Sequence, residues 1–142
     1  MKFQPKTEKE LAEANLWPNG EYAFEILEAE EATDKNSNPM LKLNVKVFKD
    51  SGASQRIFDY VSPAWMEFKL RHLAEACNLL AQYESGELHA YEFVGKTGYC
   101  KVGVSKDKSG QYPDRNGIMD YLTDKTTAQK AAEALADDSV PF

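Results

Sequence analysis

The stretch MLKLNVKVF, residues 40–48, decides the fold. Leu41, Leu43, Val45 and Val47 alternate with Lys42, Asn44, Lys46 and Phe48. A period of two sends successive side chains to opposite faces of a strand. Burial draws the aliphatic set to a core, so the lysines, the asparagine and the phenylalanine turn outward. Such alternation fits no helix, whose faces repeat every 3.6 residues.

The pattern spreads in both directions. Upstream, EYAFEIL (21–27) places Tyr22, Phe24 and Ile26 on one side, and the turn-forming ATDKNSNP (32–39) joins it to the first stretch. Downstream, KDSGAS turns and QRIFDYV (55–61) makes a third strand, completing a meander. Ser62 and Pro63 then stand as N-cap and first residue of a helix. That helix is expected to reach about Leu80, with Trp65, Phe68, Leu73, Ala76 and Leu80 on its buried stripe. TGYCKVGVS (97–105) alternates again, Cys100, Val102 and Val104 against Tyr99, Lys101 and Ser105. A polar loop and IMDYL, the last strand, follow. Ahead of everything, TEKELAEANL (7–16) opens with a Thr7–Glu10 capping box, predicting a short helix packed through Leu11 and Leu16 and ended by WPNG. Residues 123–142 differ in character: a Thr126–Gln129 capping box precedes AQKAAEALA, a helix too short to stand alone. The expected organisation is a mainly β domain over 1–122 and a flexible linker with an acidic tail over 123–142.

Composition bounds the function. The chain has 142 residues, 42% hydrophobic and 28% charged, with net charge −6. The total argues against a strongly basic polyanion binder and against adhesion to an anionic membrane. No apolar run is long enough for a span, and MKFQPKTEKE has no signal-peptide character. Cys77 and Cys100 cannot build a disulfide framework and suit a reducing cytoplasm, the expected location.

The charge is unevenly placed. Residues 35–59 carry Lys35, Lys42, Lys46, Lys49 and Arg56 against Asp50 and Asp59, while 96–115 carry Lys96, Lys101, Lys106, Lys108 and Arg115 against Asp107 and Asp114. These cations fall on outward strand faces and in the loops at their ends, beside aromatic residues. Cations neutralise phosphates and flat rings stack bases, which is the combination that single-stranded nucleic acid requires. The candidate surface is Lys42, Lys46, Arg56 and Lys101 with Phe48, Phe58, Tyr60 and Tyr99 as stackers. Phe58 and Tyr60 could equally turn into the core. Lys35, Lys106, Lys108, Tyr112 and Arg115 are the loop residues expected to close over the strand.

Other chemistries fare worse. AYEFVGKT (90–97) matches a loose phosphate-loop pattern, but Tyr-Glu-Phe-Val is no glycine-rich cradle, and a strand follows where a helix is needed. The expected structure is a turn at Gly95–Lys96. His72 and Cys77, five apart on a helix, point in different directions, and His89 and Cys100 lack metal-ligand spacing. The cysteines read as small buried hydrophobes. No catalytic constellation, metal or cofactor is expected.

Two resemblances sharpen this reading. Three strands, a helix and two strands is the order of the OB-fold, a five-stranded partly open barrel that binds oligonucleotides on strands 2–3 and through its 1–2 and 4–5 loops. The end of the chain, DDSVPF, resembles the acidic tip of bacterial single-stranded DNA-binding proteins: Asp137 and Asp138 match the acids, Val140 the apolar residue, Pro141 and Phe142 the terminal pair, and Ser139 replaces one acid. In that family the tip docks into replication, recombination and repair proteins. WPNGEYAFEILEAEEATDKNSNPMLKLNVKVF and the later FVGK, across about 17–122, resemble phage-encoded, presumed single-stranded DNA-binding OB proteins. The resemblance implies a non-enzymatic, sequence-independent single-stranded DNA-binding protein of a phage, in the bacterial host cytoplasm, with its partners at residues 137–142. The competing expectation is an OB-type adaptor that binds a replication or recombination protein and little DNA.

Overall fold

The computed structural model describes residues 1–106 and 108–123. Alternation produces five strands, β1 (Gly20–Thr33), β2 (Pro39–Phe48), β3 (Ser54–Val61), β4 (Thr97–Ser105) and β5 (Arg115–Tyr121). They form one antiparallel sheet in the order β3-β2-β1-β4-β5. Among the described residues three short helices accompany it, α1 (Glu8–Ala14), α2 (Glu67–Ala76) and α3 (Leu80–Ser85), with a 3-10 turn at Ala90–Phe93. Long β1 serves two partners: Ala23–Thr33 pairs with β2, and Gly20–Glu25 with β4. A bulge between Ile26 and Glu28 shifts its alternation by one residue.

The main-chain ladder stays open, and side chains tie its two edge strands. Tyr121 on β5 donates its hydroxyl to Asp59 Oδ2 on β3 at 2.7 Å, and Gln55 donates to Asn116 Oδ1 at 3.1 Å. Lys69 of α2 reaches Asp59 Oδ1 at 2.8 Å and the Ile118 carbonyl at 2.7 Å. The curled inner face holds Phe24, Ile26, Leu43, Val45, Val47, Val61, Cys100 and Val102, covered by Leu70, Leu73 and Ala74 of α2. Phe24 meets Tyr121 edge to face at 5.3 Å. Gly98 admits this arrangement, because a Cβ there would lie 2.9 Å from the Phe24 ring.

Both thiols are buried, and desolvation pushes Cys77 and Cys100 up to about 12 from the ordinary 9.0. Burial and the neighbouring Asp59 carboxylate also raise the Tyr121 hydroxyl well above its usual range. Below pH 9 the thiols are protonated in folded and unfolded chains alike. Above it the unfolded chain releases protons that the folded one keeps, so stability falls as pH rises towards 12. At pH 10 the expected loss is about 1 kcal/mol per thiol. Urea unfolding at pH 7.5 and 10 checks this, and Cys77→Ala or Cys100→Ala should flatten the decline. An unchanged midpoint at pH 10 would contradict it.

Two helix expectations need correction. Leu11 is 51% exposed, Leu16 is only half-buried, and α1 buries nothing. Its capping box, with Glu10 N–H donating to Thr7 Oγ1 at 3.1 Å, organises it instead of packing. The helix after Ser62 begins later and ends earlier than expected. Ser62 to Met66 is a single turn, in which Met66 N–H donates to the Ser62 carbonyl at 2.9 Å. α2 stops at Ala76, and Asn78 takes a left-handed φ of 61° before α3 starts. The buried stripe is Leu70, Leu73, Ala74 and Cys77, at helical spacings of three, four and seven. Phe68 lies two residues from Leu70, about 200° around the axis, and is 82% exposed; Trp65 precedes the helix and is exposed too. The Thr126–Gln129 box and the tail at 137–142 lie outside the described residues. Among the described residues, no helix is long and apolar enough to cross a membrane.

Candidate nucleic-acid interface

Register assembles the outward face row by row. Tyr99, Ala23, Phe48 and Ser54 form one row across β4, β1, β2 and β3. Thr97, Glu25, Lys46 and Arg56 form the next, then Glu28, Asn44 and Phe58, then Glu30, Lys42 and Tyr60. Beyond lies the β1–β2 loop with Lys35. At the other end, Lys101 stands opposite Glu21, and Ser105 opposite Arg115 leads into the β4–β5 loop.

Most of the sequence-derived site therefore lies on one continuous face. Phe58 and Tyr60 point outward, 66% and 45% exposed, because Ile57, Asp59 and Val61 take the inward positions of β3. Phe48 and Tyr99 flank Ala23 and line one groove with Tyr22 and Lys49. Lys46 lies over the Phe48 ring, 5.3 Å from its centre. Lys106, Lys108 and Arg115 line a cavity of about 490 Å³ with Tyr112 in the β4–β5 loop. The two loops sit at opposite ends of the face, so they bracket it instead of closing together over one strand.

The charge is not what separate strands suggested. The bulge in β1 lets Glu25, Glu28 and Glu30 all point outward, beside the β2 lysines. Lys42 pairs with Glu30 at 3.2 Å. Opposite charges across a ladder attract, so Glu30 offsets part of the Lys42 charge. The polarised basic face expected above is a striped one, with an acidic β1 beside a basic β2–β3. Counting along the chain already puts acid in the first strand; what it does not give is the bulge that turns Glu28 and Glu30 to the same face as the β2 lysines. Asn44, expected outward, is 7% exposed; its Nδ2 donates weakly to Glu28 Oε1 at 3.5 Å, and its Oδ1 is buried without a hydrogen bond.

The phosphate-loop reading fails locally. The Gly95 and Lys96 amides already donate to the Ile26 and Phe93 carbonyls at 2.8 and 3.1 Å, so neither can cradle a phosphate, and β4 follows. The residues before Gly95 form a 3-10 turn where a strand-like piece was expected. A larger cleft of about 550 Å³ runs between α2–α3 and the far end of the β1–β2 hairpin. It sets Glu31, Glu67 and Glu84 against Arg71 and has no use for a polyanion. Trp65 was assigned to the core; its exposure beside the β1–β2 loop is the aromatic that the helical pattern concealed. A scan against protein-family models finds no match, and no curated protein matches the chain.

Proposed function

We propose that this chain is a non-enzymatic, OB-type protein that binds single-stranded DNA without sequence preference on the outward face of β2 and β3. Its ends at the β1–β2 and β4–β5 loops hold the strand, and residues 137–142 dock replication, recombination or repair proteins. One observation carries the reading: Phe58 and Tyr60 project into solvent beside Lys42, Lys46 and Arg56. Exposed rings cost the free protein apolar hydration; here Tyr60 sits in register with Lys42, and Phe58 lies in the row between that pair and Lys46–Arg56, as stacking and phosphate contact demand. Base edges are not read by such contacts, so homopolymers should bind within about an order of magnitude of each other and duplex DNA far more weakly. Anisotropy titration with labelled oligonucleotides tests this, and duplex binding as tight as single-strand binding would overturn it.

The glutamate row favours a second reading, an adaptor of phage replication or recombination with weak DNA affinity. The two readings part at those residues. If DNA lies on β2–β3, Glu25→Gln, Glu28→Gln and Glu30→Gln together remove repulsion and should tighten single-strand binding about 10-fold at low salt, less as salt screens the charges. Unchanged affinity in this triple variant, with a weakly binding parent, favours the adaptor.

A further inference from the structure

Trp65 is 61% exposed, an uncommon state for the largest apolar side chain. It is nevertheless held. Its indole Nε1–H donates to Asp34 Oδ2 in a long hydrogen bond of 3.4 Å. Asp34 is itself fixed: its Oδ1 accepts from the Asn36 and Asn38 amides at 2.8 and 2.9 Å, and its Oδ2 from Asn38 Nδ2 at 3.2 Å. These bonds, led by the Asn38 amide, hold the Asp34 carboxyl below its usual range, so it remains a charged acceptor. Ser62 anchors the other side of the link by donating to the Pro39 carbonyl at 2.9 Å.

We propose that Trp65 is a nucleobase-stacking subsite at the loop end of the β2–β3 face, and that Asp34 is the residue that positions its ring; the inference rests on the single-stranded DNA reading above. Three features support it. The hydrogen bond takes the ring edge, leaving the π faces for a base. Trp65 follows the end of β3 by four residues and is bonded to Asp34 in the β1–β2 loop, which also carries Lys35 to meet a phosphate. A ring anchored before binding loses little freedom when a base arrives, which favours affinity. The loop thus contributes a platform together with its lysine.

The experiment titrates the full chain with a labelled oligo-dT of about 15 nucleotides, a length within the range that OB domains cover. Trp65→Ala should weaken binding about 10-fold, the loss of one stacked base, while Trp65→Phe keeps a ring and stays within about threefold. Tryptophan emission of the parent should quench on binding. In Trp65→Phe, which retains only the buried Trp17, the quench should vanish. Asp34→Asn keeps an oxygen for the Asn36 and Asn38 amides but replaces Oδ2. It should lower the emission anisotropy of the free protein and weaken binding by less than Trp65→Ala does; added to Trp65→Phe it should change binding no further, whereas loss of loop structure would weaken that variant too. Circular dichroism confirms folding of each variant. Should Trp65→Ala bind as tightly as the parent while Lys42→Glu/Lys46→Glu does not, the subsite is wrong and the DNA reading survives. Should the parent fail to bind oligo-dT at all, both fall.

Discussion

If single-stranded DNA lies where we propose, Lys42→Glu combined with Lys46→Glu should lower affinity for it by about 100-fold at low salt, with the protein still folded. Both side chains lie on the outward face of β2 and are partly exposed, so neither supports the core. Each reversal removes one cation and adds one anion beside Glu25 and Glu30, converting a striped face into an acidic one. Phosphate contacts dominate affinity for nucleic acid and respond to salt through counterion release. The loss should therefore shrink as salt rises. Surface changes of this kind cost stability within about 0.5 kcal/mol each, although losing the Lys42–Glu30 pair adds like-charge repulsion. Anisotropy titration at two salt concentrations, with a urea curve as control, reads both quantities. Normal binding by the folded double variant would place the nucleic-acid surface elsewhere.

Asp59→Ala destabilises the fold by about 3–5 kcal/mol, a large share of the roughly 5–15 kcal/mol that holds a domain together. The Asp59 and Lys69 side chains are 9% and 15% exposed and only 2.8 Å apart. Asp59 also accepts from Tyr121, and Lys69 also donates to the Ile118 carbonyl. Removing the carboxylate leaves a buried ammonium with one carbonyl, strands the Tyr121 hydroxyl, and leaves Gln55–Asn116 as the remaining side-chain bond described between β3 and β5. A buried pair need not beat an apolar replacement, because desolvation offsets its attraction. Asp59→Leu with Lys69→Met should accordingly recover the part of the loss due to the buried ammonium, the Tyr121 hydroxyl still lacking its acceptor. Urea midpoints for the single and double variants check both statements. A single variant within about 1 kcal/mol of the parent would mean that water or rearrangement already screens the pair.

Strands were the legible part of this chain. In β2, Leu41, Leu43, Val45 and Val47 are buried as the period of two requires, because a local pattern with one core face leaves no alternative. Helix positions were harder to read. Trp65 and Phe68 are large and apolar, so they seemed natural members of a buried stripe, yet Leu70, Leu73, Ala74 and Cys77 supply a continuous one and leave both rings in solvent. Size and hydrophobicity alone do not choose a face; spacing does. The site was half legible. Phe58 and Tyr60 could be named but not oriented, since β3 offers Ile57, Asp59 and Val61 to one side and a cation with two aromatics to the other. The buried Asp59 ran against the simple pattern and became intelligible only with Lys69 and Tyr121 beside it. The acid of β1 was legible as composition, but its alignment beside the β2 lysines was not, because that depends on a bulge and on long-range register that no single segment encodes.

Photochemical cross-linking of a 4-thiothymine oligonucleotide, mapped by peptide mass spectrometry, locates the single strand that we propose on the outward face of β2 and β3. Adducts are expected in the peptides that carry Phe48, Phe58 and Tyr60, reduced by unlabelled oligo-dT and by added salt. Adducts confined to the acidic cleft between α2–α3 and the hairpin, or none under conditions where binding is measured, would contradict that placement.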